Sequence, residues 1–316
     1  MLWRGGRRSD NIEDRRGTGG GGFRFPGGGG RMPGGFRFPT GGGRMPGRRT
    51  GGIGGVGLVI LLLLALVFGF NPLTLLEGPG GGQTPSGYLP QGGPGAPRPS
   101  QGESEMREFV SVVLADTEDT WHKLFREKGR TYQEPTLVLF SGMVASACGR
   151  ADASVGPFYC PADGKVYLDF SFFDDLHRRY GAPGDFAQAY VIAHEVGHHV
   201  QNLLGISEKA DQLRRRLSTA DANRLSVMME LQADCFAGVW AHHANQRRKL
   251  LEPGDIEEGI NAASAIGDDR MQRRSQGYVV PDAFTHGSSK QRVDWFKRGL
   301  AEGNIDACDT FNDASL

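Results

Sequence analysis

The sequence predicts an α+β fold that is mostly helical and carries a small β-sheet, preceded by one transmembrane helix and a disordered basic tail. Two observations support the folded part. Short β-rich stretches at 135–140 and 165–170 come before a long run of helical patterns. Low-complexity chain and one uncharged apolar run are confined to the first third of the sequence. We therefore expect one folded domain over residues 104–316.

The folded domain is predicted to begin with a helix over 105–127, where apolar residues recur near helical spacing. Strands follow at 135–140 and 165–170, and a short helix at 174–180 stops before a Gly-Ala-Pro-Gly turn. Asp185 offers an N-cap for the next helix, which should run to Gly205. The remaining predicted helices lie near 207–217, 221–248, 254–276 and 288–302.

Residues 1–51 have the composition of a disordered tail. The first fifty residues contain eleven arginines and three acids, a local charge of 11 − 3 = +8, whereas the whole chain balances at 36 against 36. A Phe-Arg-Phe-Pro sequence occurs at 23–26 and again at 36–39, with glycine filling the gaps. Arginine and phenylalanine in alternation can hold anionic lipid or nucleic acid, but a tail that only fixes membrane topology is the simpler interpretation.

Residues 52–70 form an uncharged apolar run that predicts a membrane anchor, because about 20 such residues span the hydrocarbon core. A buried core helix would show a polar stripe, which is missing here. A cleaved signal peptide fits poorly, since the preceding segment is long and no small-x-small site follows. Residues 71–103, rich in Gly and Pro, read as a flexible linker.

The distribution of charge around this run predicts its orientation. Arg44, Arg48 and Arg49 precede it, and the first charged residue after it is Glu77. The positive-inside rule then places the N-terminus in the cytoplasm and the domain on the periplasmic or extracellular side of the inner membrane, as a single-pass protein.

The four cysteines, Cys148, Cys160, Cys235 and Cys308, suit an oxidising compartment. They allow three pairings, among which the sequence alone does not choose. Cys148 and Cys160 are close enough to staple one loop, which would leave Cys235 and Cys308 as the other pair. A second zinc site is the alternative, but no C-x-x-C spacing supports it.

His194-Glu195-Val196-Gly197-His198 has the form of a zinc-hydrolase site. On a helix, His194 and His198 project from one face and can bind one Zn²⁺, with Glu195 beside the metal to act on its water. A solvated helix carrying the pattern by chance is the alternative. The apolar residues on both sides of the motif argue against it.

A catalytic zinc ion needs a third protein ligand, and residues 221–248 offer one. Glu230 and Asp234 are four residues apart in an apolar helix, so they share one face. We predict that Glu230 binds the zinc and that Asp234 accepts a hydrogen bond from a histidine ligand. An exposed acidic edge, or pairing of the acids with Arg224, is the alternative.

Taken together, these segments resemble the putative neutral zinc metallopeptidases, a bacterial family of membrane-anchored proteins with gluzincin-type sites (HExxH followed by ExxxD). The resemblance is carried by segments 3–5, 11–16, 146–149, 156–161, 166–169, 194–201, 230–235 and 284–289, and by the single anchor. It implies a gluzincin-like domain with one catalytic Zn²⁺, His194, His198 and Glu230 as ligands, and Glu195 as the catalytic carboxylate. The Phe-Arg-Phe-Pro repeat departs from the family pattern.

The predicted reaction is hydrolysis of a peptide or protein substrate by zinc-activated water, with Glu195 as general base. A further donor should stabilise the tetrahedral oxyanion, and His286 and Tyr278 are the candidates. The predicted partners are this substrate and the membrane, through one anchor helix, rather than nucleic acid. The alternative function is a membrane-anchored binding or scaffold protein with a structural or inactive zinc site.

Overall fold

The computed structural model describes residues 1–17 and 100–312. Within these ranges the strands are β1 (Ile12–Asp14), β2 (Thr136–Phe140), β3 (Met143–Ser146), β4 (Gly149–Asp152), β5 (Phe158–Cys160) and β6 (Lys165–Asp169). The α-helices are α1 (Gln101–Glu127), α2 (Ser171–Arg178), α3 (Asp185–Leu203), α4 (Ile206–Arg214), α5 (Thr219–Arg248), α6 (Asp255–Ala265), α7 (Asp268–Gln276) and α8 (Ser289–Glu302). The predicted α+β class, mostly helical with small sheets, is confirmed.

The main sheet has four strands in the order β1-β2-β6-β5, and β3 and β4 form a separate hairpin. β1, β2 and β6 are parallel, while β5 runs antiparallel to β6 at the edge. β2 and β6 are buried along almost their whole length, as central strands require. Tyr159 of the edge strand donates its hydroxyl to Nδ1 of His199 and accepts a hydrogen bond from the side-chain amide of Asn202, both on α3. The sheet edge is thereby fixed beside the helix that carries the zinc motif.

Helices α3, α5 and α8 form the core that positions the site. Close contact between α5 and α8 depends on two glycines. A Cβ at Gly238 would lie 2.1 Å from the carbonyl oxygen of Phe296, and one at Gly299 would lie 1.9 Å from that of Cys235. No side chain fits at either position, so the two helix backbones pack directly against each other. This contact holds α8 against the acidic face of α5.

The predicted boundaries need three corrections. Gly184, not Asp185, stands at the N-cap of α3, and Asp185 belongs to the first helical turn. The single helix predicted over 254–276 is two helices, α6 and α7, which break at Gly267. A Cβ at Gly267 would lie 2.4 Å from the backbone nitrogen of Ser289, so the break allows the start of α8 to approach. Finally, β1, β5 and the hairpin were not predicted, because three- and four-residue strands leave little periodic signal.

Residues 1–17 are folded, so the predicted disorder of residues 1–51 is wrong for this part. β1 pairs in register with β2, with Ile12 opposite Leu137. Met1 and Trp3 are buried, and the Trp3 ring meets Phe109 of α1 edge-on at 5.4 Å between centroids. Residues 1–17 belong to the same compact unit as residues 100–312. Residues 18–51 lie outside the described residues.

The predicted anchor at 52–70 and most of the linker at 71–103 also lie outside the described residues. Among the helices that the structure describes, none combines the length and the apolar character needed to cross a bilayer. The domain predicted from Ser104 begins slightly earlier. α1 starts at Gln101 behind a capping box formed by Ser100 and Glu103.

The two disulfides join Cys148 to Cys160 and Cys235 to Cys308. The first ties the end of the β3–β4 hairpin to the edge strand β5. The second fastens α5, one residue after Asp234, to the C-terminal end of the described chain. This is the pairing that the spacing of Cys148 and Cys160 had favoured, and no C-x-x-C metal site competes with it.

Candidate metal centre

The two histidines of the motif project from α3 with their Nε2 atoms toward the same place. His194 donates from Nδ1 to Oδ1 of Asp234 at 2.8 Å. His198 donates from Nδ1 to Oε1 of Gln201 at 2.9 Å. Because both Nδ1 atoms carry the ring proton, both Nε2 lone pairs are available to a metal ion.

Glu230 of α5 lies between these two Nε2 atoms. Its Oε2 is 3.2 Å from Nε2 of His194, and its Oε1 is 3.4 Å from Nε2 of His198. A tetrahedral zinc ion with bonds of about 2.0–2.1 Å has neighbouring ligand atoms about 3.3 Å apart. The ligand atoms of the three residues all lie within 4.8 Å of one another. The donor set therefore fits one zinc ion.

Gly197 explains how α5 comes so near. A Cβ at this position would lie 3.0 Å from the carbonyl oxygen and 3.1 Å from Cα of Ala233. Glycine inside a helix costs about 1 kcal/mol relative to alanine, and here it allows the two helices to approach beside the ligands. Close approach of α5 is therefore the structural reason for a glycine at this position.

The buried carboxylates and histidines of the cluster stabilise each other's charged forms. Burial would raise the pKa of Glu230, but the two histidines hold it well below its ordinary value. Burial would lower the pKa of His194, but Asp234 and Glu230 outweigh this effect and raise it to about 10. The carboxylates thus draw positive charge into this place, as a cation site requires.

Glu195, next to the first ligand, is 8% exposed. Burial raises its pKa above the ordinary glutamate value, although both histidines oppose the shift. A carboxylate with a raised pKa is better able to take up and release a proton.

The three ligands and Glu195 line one open cavity of about 910 Å³. Its walls come from the edge strand, from α2 and from the loop before α8. The aromatic residues Phe158, Tyr159, Phe172 and Tyr180 also line it, together with Asp268, His286 and Arg292. The cavity is large enough for a stretch of several residues of peptide.

Of the two predicted oxyanion donors, the structure places His286 in this cavity and Tyr278 outside its lining. Tyr278 is 62% exposed. His286 pairs through Nδ1 with Oδ1 of Asp268 at 3.1 Å. The other oxygen of Asp268 accepts the backbone N–H groups of Thr285, His286 and Gly287. The hydrogen bond to Asp268 raises the pKa of His286 above its ordinary value, against the effect of burial.

The remaining polar residues near the motif have structural contacts. His199 lies between Tyr159 and the carbonyl oxygen of Gln133, to which its Nε2 donates at 2.6 Å, so it points away from the ligands. Arg224 pairs with Asp221, not with the acidic face of α5.

Four contributors to the site were not predicted. Gln201 stands three residues after His198 on α3, and a helical wheel places the two side chains on the same face. Tyr190, four residues before His194, donates its hydroxyl to Asp234. Asp268 and Arg292 come from distant parts of the chain, and nothing near them in sequence marks a partner.

Comparison with known proteins gives the same assignment at family level. A family model described as putative neutral zinc metallopeptidase matches residues 1–311. The chain belongs to this family. The match begins at residue 1, so the family's domain includes the folded N-terminal segment. The predicted membership of the putative neutral zinc metallopeptidases is thereby confirmed, and zinc is the metal that the family implies.

Relatives of this chain occur in Escherichia coli and in Mycobacterium tuberculosis. The uncharacterized protein YpfJ of Escherichia coli K12 is 51% identical over 317 residues, covering 98% of this chain and 99% of the relative. The uncharacterized protein Rv2575 of Mycobacterium tuberculosis H37Rv is 41% identical over 223 residues, covering 67% of this chain and 74% of the relative. No solved structure matches the chain.

Proposed function

We propose that the protein is a zinc-dependent peptidase that hydrolyses peptide bonds in the cavity above α3. The observation that carries the proposal is the convergence of His194, His198 and Glu230, with Glu195 beside them, on one open cavity. A structural zinc site is typically closed by four protein ligands, whereas three ligands at a cavity leave a position for water and substrate.

The zinc ion, when bound, supplies a Lewis acid that polarises the scissile carbonyl and makes its water acidic. Glu195 takes the proton of the attacking water and passes it to the leaving amine. Its burial and its position next to a ligand suit this role. Asp234 and Gln201 hold the two imidazole rings by their Nδ1 protons, so that both Nε2 atoms keep their direction.

We assign His286 the role of donor to the oxyanion that forms on the carbonyl. Its Nδ1 is fixed by Asp268, a carboxylate that is 8% exposed, which orients the ring in the cavity wall. A positively charged imidazole in this wall stabilises negative charge as it develops.

The substrate, a peptide or protein, is inferred from the family and from the open cavity with its aromatic wall. From the sequence alone, we also propose that residues 52–70 hold the enzyme at the membrane.

The decisive test replaces Glu195 by Gln in the full-length chain and measures both bound zinc and cleavage of a denatured protein. We expect one zinc per chain and a loss of at least about 10²-fold in hydrolysis. The matched control is Glu208→Gln, because Glu208 is an exposed carboxylate on α4 whose contact is with Gln212.

Two results would contradict the proposal. A Glu195→Gln variant with unimpaired hydrolysis would show that Glu195 is not the general base. Wild-type protein that binds zinc but cleaves no substrate across a broad peptide library would favour the binding or scaffold function instead.

A further inference from the structure

Arg292 of α8 is a buried cation beside the metal centre, 2% exposed. It binds Asp234 with two parallel hydrogen bonds, from Nε to Oδ2 at 2.8 Å and from Nη2 to Oδ1 at 2.9 Å. Such a bidentate contact fixes both the position and the plane of a carboxylate. Tyr190 adds a hydrogen bond to Oδ1, the same oxygen that receives the proton of His194.

Asp234 is completely buried, at 0% exposure. A carboxylate in such a place costs several kcal/mol unless it is paired. Oδ1 of Asp234 accepts the hydrogen bond from Nδ1 of His194. Oδ2 is held by the hydrogen bond from Nε of Arg292. Without the guanidinium, the Asp234 carboxylate could rotate, and the His194 ring would lose its fixed direction.

We propose that Arg292 is a positioning residue that sets the zinc affinity of the site through Asp234. This inference rests on the proposed function only in taking the three-residue cluster as a zinc site. The glycine contacts with α5 fix the position of α8, and they therefore fix the position from which Arg292 reaches Asp234. Lysine cannot replace it, because an ammonium group makes no planar two-point contact.

The test measures zinc affinity in the full-length protein by competition with a chromophoric chelator. We expect Arg292→Lys to bind zinc about 10- to 100-fold more weakly, the range for losing an outer-shell partner. The visible absorption of the Co²⁺-substituted protein should change too, because the His194 ring direction changes. Arg298→Lys, an exposed arginine on the same helix, is the matched control and should alter neither.

A double variant separates positioning from general loss of stability. If Arg292 acts through Asp234, Asp234→Asn combined with Arg292→Lys should bind zinc as weakly as Asp234→Asn alone. Additive losses, or an unchanged Arg292→Lys, would overturn the inference. Failure of wild-type protein to bind zinc would instead overturn the proposed function, so the two failures are distinguishable.

A second, independent observation concerns the side of the membrane on which the N-terminus lies. Glu118 of α1 is a buried carboxylate, 1% exposed. Arg7, Ser9 and Asn11 all donate hydrogen bonds to it. If residues 7–11 were absent, the buried carboxylate of Glu118 would lose these three hydrogen-bond donors, which is costly for a buried charged group.

The backbone of the N-terminal segment is also part of the domain. Ser9 and Ser111 exchange backbone and side-chain hydrogen bonds, and Leu137 donates its N–H to the carbonyl of Asn11. A strand cannot pair with its sheet across a bilayer. Residues 1–17 and the metal centre must therefore share one compartment.

We infer that the chain between residues 17 and 100 makes no net crossing of the membrane. The apolar run at 52–70 has the length for one span and not for two, because each needs about 20 residues. This inference replaces the single-pass arrangement that the charge pattern predicts, in which the N-terminus and the domain lie on opposite sides of the membrane.

The test introduces one cysteine at a time into the full-length chain, which has no free thiol because its four cysteines form two disulfides. Arg4→Cys and Arg8→Cys report on the N-terminal segment, and Leu213→Cys reports on the metal-bearing body; all three side chains are exposed. A membrane-impermeant maleimide is applied to right-side-out and to inverted membrane vesicles.

We expect the N-terminal and body positions to react in the same vesicle orientation, or together in a soluble fraction. Reaction of Leu213→Cys in one orientation and of Arg4→Cys and Arg8→Cys only in the other would establish a single span and overturn the inference.

Discussion

The two helices that carry the candidate metal centre, α3 and α5, are held in the fold in a different way from the N-terminal segment, residues 1–17. In the helix pair, the chemistry repeats at helical spacing: two histidines four apart face two carboxylates four apart. In the N-terminal segment, arginines that look like a solvated tail pair one by one with acids of α1. Arg4 meets Glu105, Arg8 meets Glu108, and Arg7 meets both Glu118 and Asp119.

The two regions differ in whether their contacts can be predicted from residues that are close together in the sequence. A helix face is encoded locally, so its spacing is visible to anyone who reads ten residues. The N-terminal segment has no period of its own, and its partners stand about a hundred residues away. Composition therefore assigned it to a tail, although its contacts are as specific as those of the metal site.

The largest effect is expected at the ligand that the helix pair contributes from α5. Glu230→Ala should abolish stoichiometric zinc binding and lower hydrolysis by at least about 10³-fold, because two histidines alone hold a catalytic zinc ion weakly. Metal content and cleavage of a denatured protein are the measurements, and Glu208→Ala is the control. A variant that retains one tightly bound zinc ion would exclude Glu230 from the ligand set.

The next effect tests whether the N-terminal segment is structural. Trp3→Ala should lower the free energy of unfolding by about 3–5 kcal/mol, since the ring is 7% exposed and packs on Phe109. Chemical denaturation of the full-length protein measures it. Leu2→Ala, at a neighbouring residue that is 55% exposed, should change stability little. Equal, small effects at both positions would mean that residues 1–17 contribute little to the stability of the fold.

These two regions also show how far sequence reasoning reaches. The cluster of His194, His198 and Glu230 and the contact of Asp234 with a histidine were predicted, since the two pairs follow from i,i+4 spacing in apolar helices. Arg292 and Asp268 were not, because only the packing of α8 and α7 against the site brings them there. The core strands β2 and β6 were predicted from their apolar runs. β1 was not, because three residues become a strand only by pairing with β2.

A smaller effect is expected where α3 and α5 touch. Gly197→Ala places a methyl group 3.0 Å from the Ala233 carbonyl oxygen, so the helices must separate by a few tenths of an ångström. We expect a net loss of about 1–3 kcal/mol in unfolding free energy and weaker zinc binding, despite alanine's higher helix propensity. Gly102→Ala, in the first turn of α1 with open space around it, should be neutral or slightly stabilising. A Gly197→Ala protein with unchanged zinc affinity would separate the helix contact from the metal site.

The smallest effect concerns the surface charges of β1. Glu13 pairs with Arg15 at 2.8 Å and with Lys165 of β6 at 2.8 Å, and these hydrogen bonds lower its pKa from 4.5 to about 2. Because the folded-state pKa is the lower one, this contribution is present above pH 4.5 and is lost as the pH falls toward 2. The side chain is 41% exposed, so screening by solvent keeps the contribution below about 1 kcal/mol.

Glu13→Gln should accordingly destabilise the protein slightly at pH 7 and much less at pH 3, as measured by denaturation at both values. Lys165→Met, which removes one of the two partners, should show the same trend with a smaller amplitude. An effect of Glu13→Gln that is equal at both pH values would mean that the carboxylate charge does not stabilise β1. Residues 1–17 would then be held to the sheet by the backbone pairing of β1 and by Trp3. Helices α3 and α5, in contrast, are joined by the buried charged groups of the candidate metal centre.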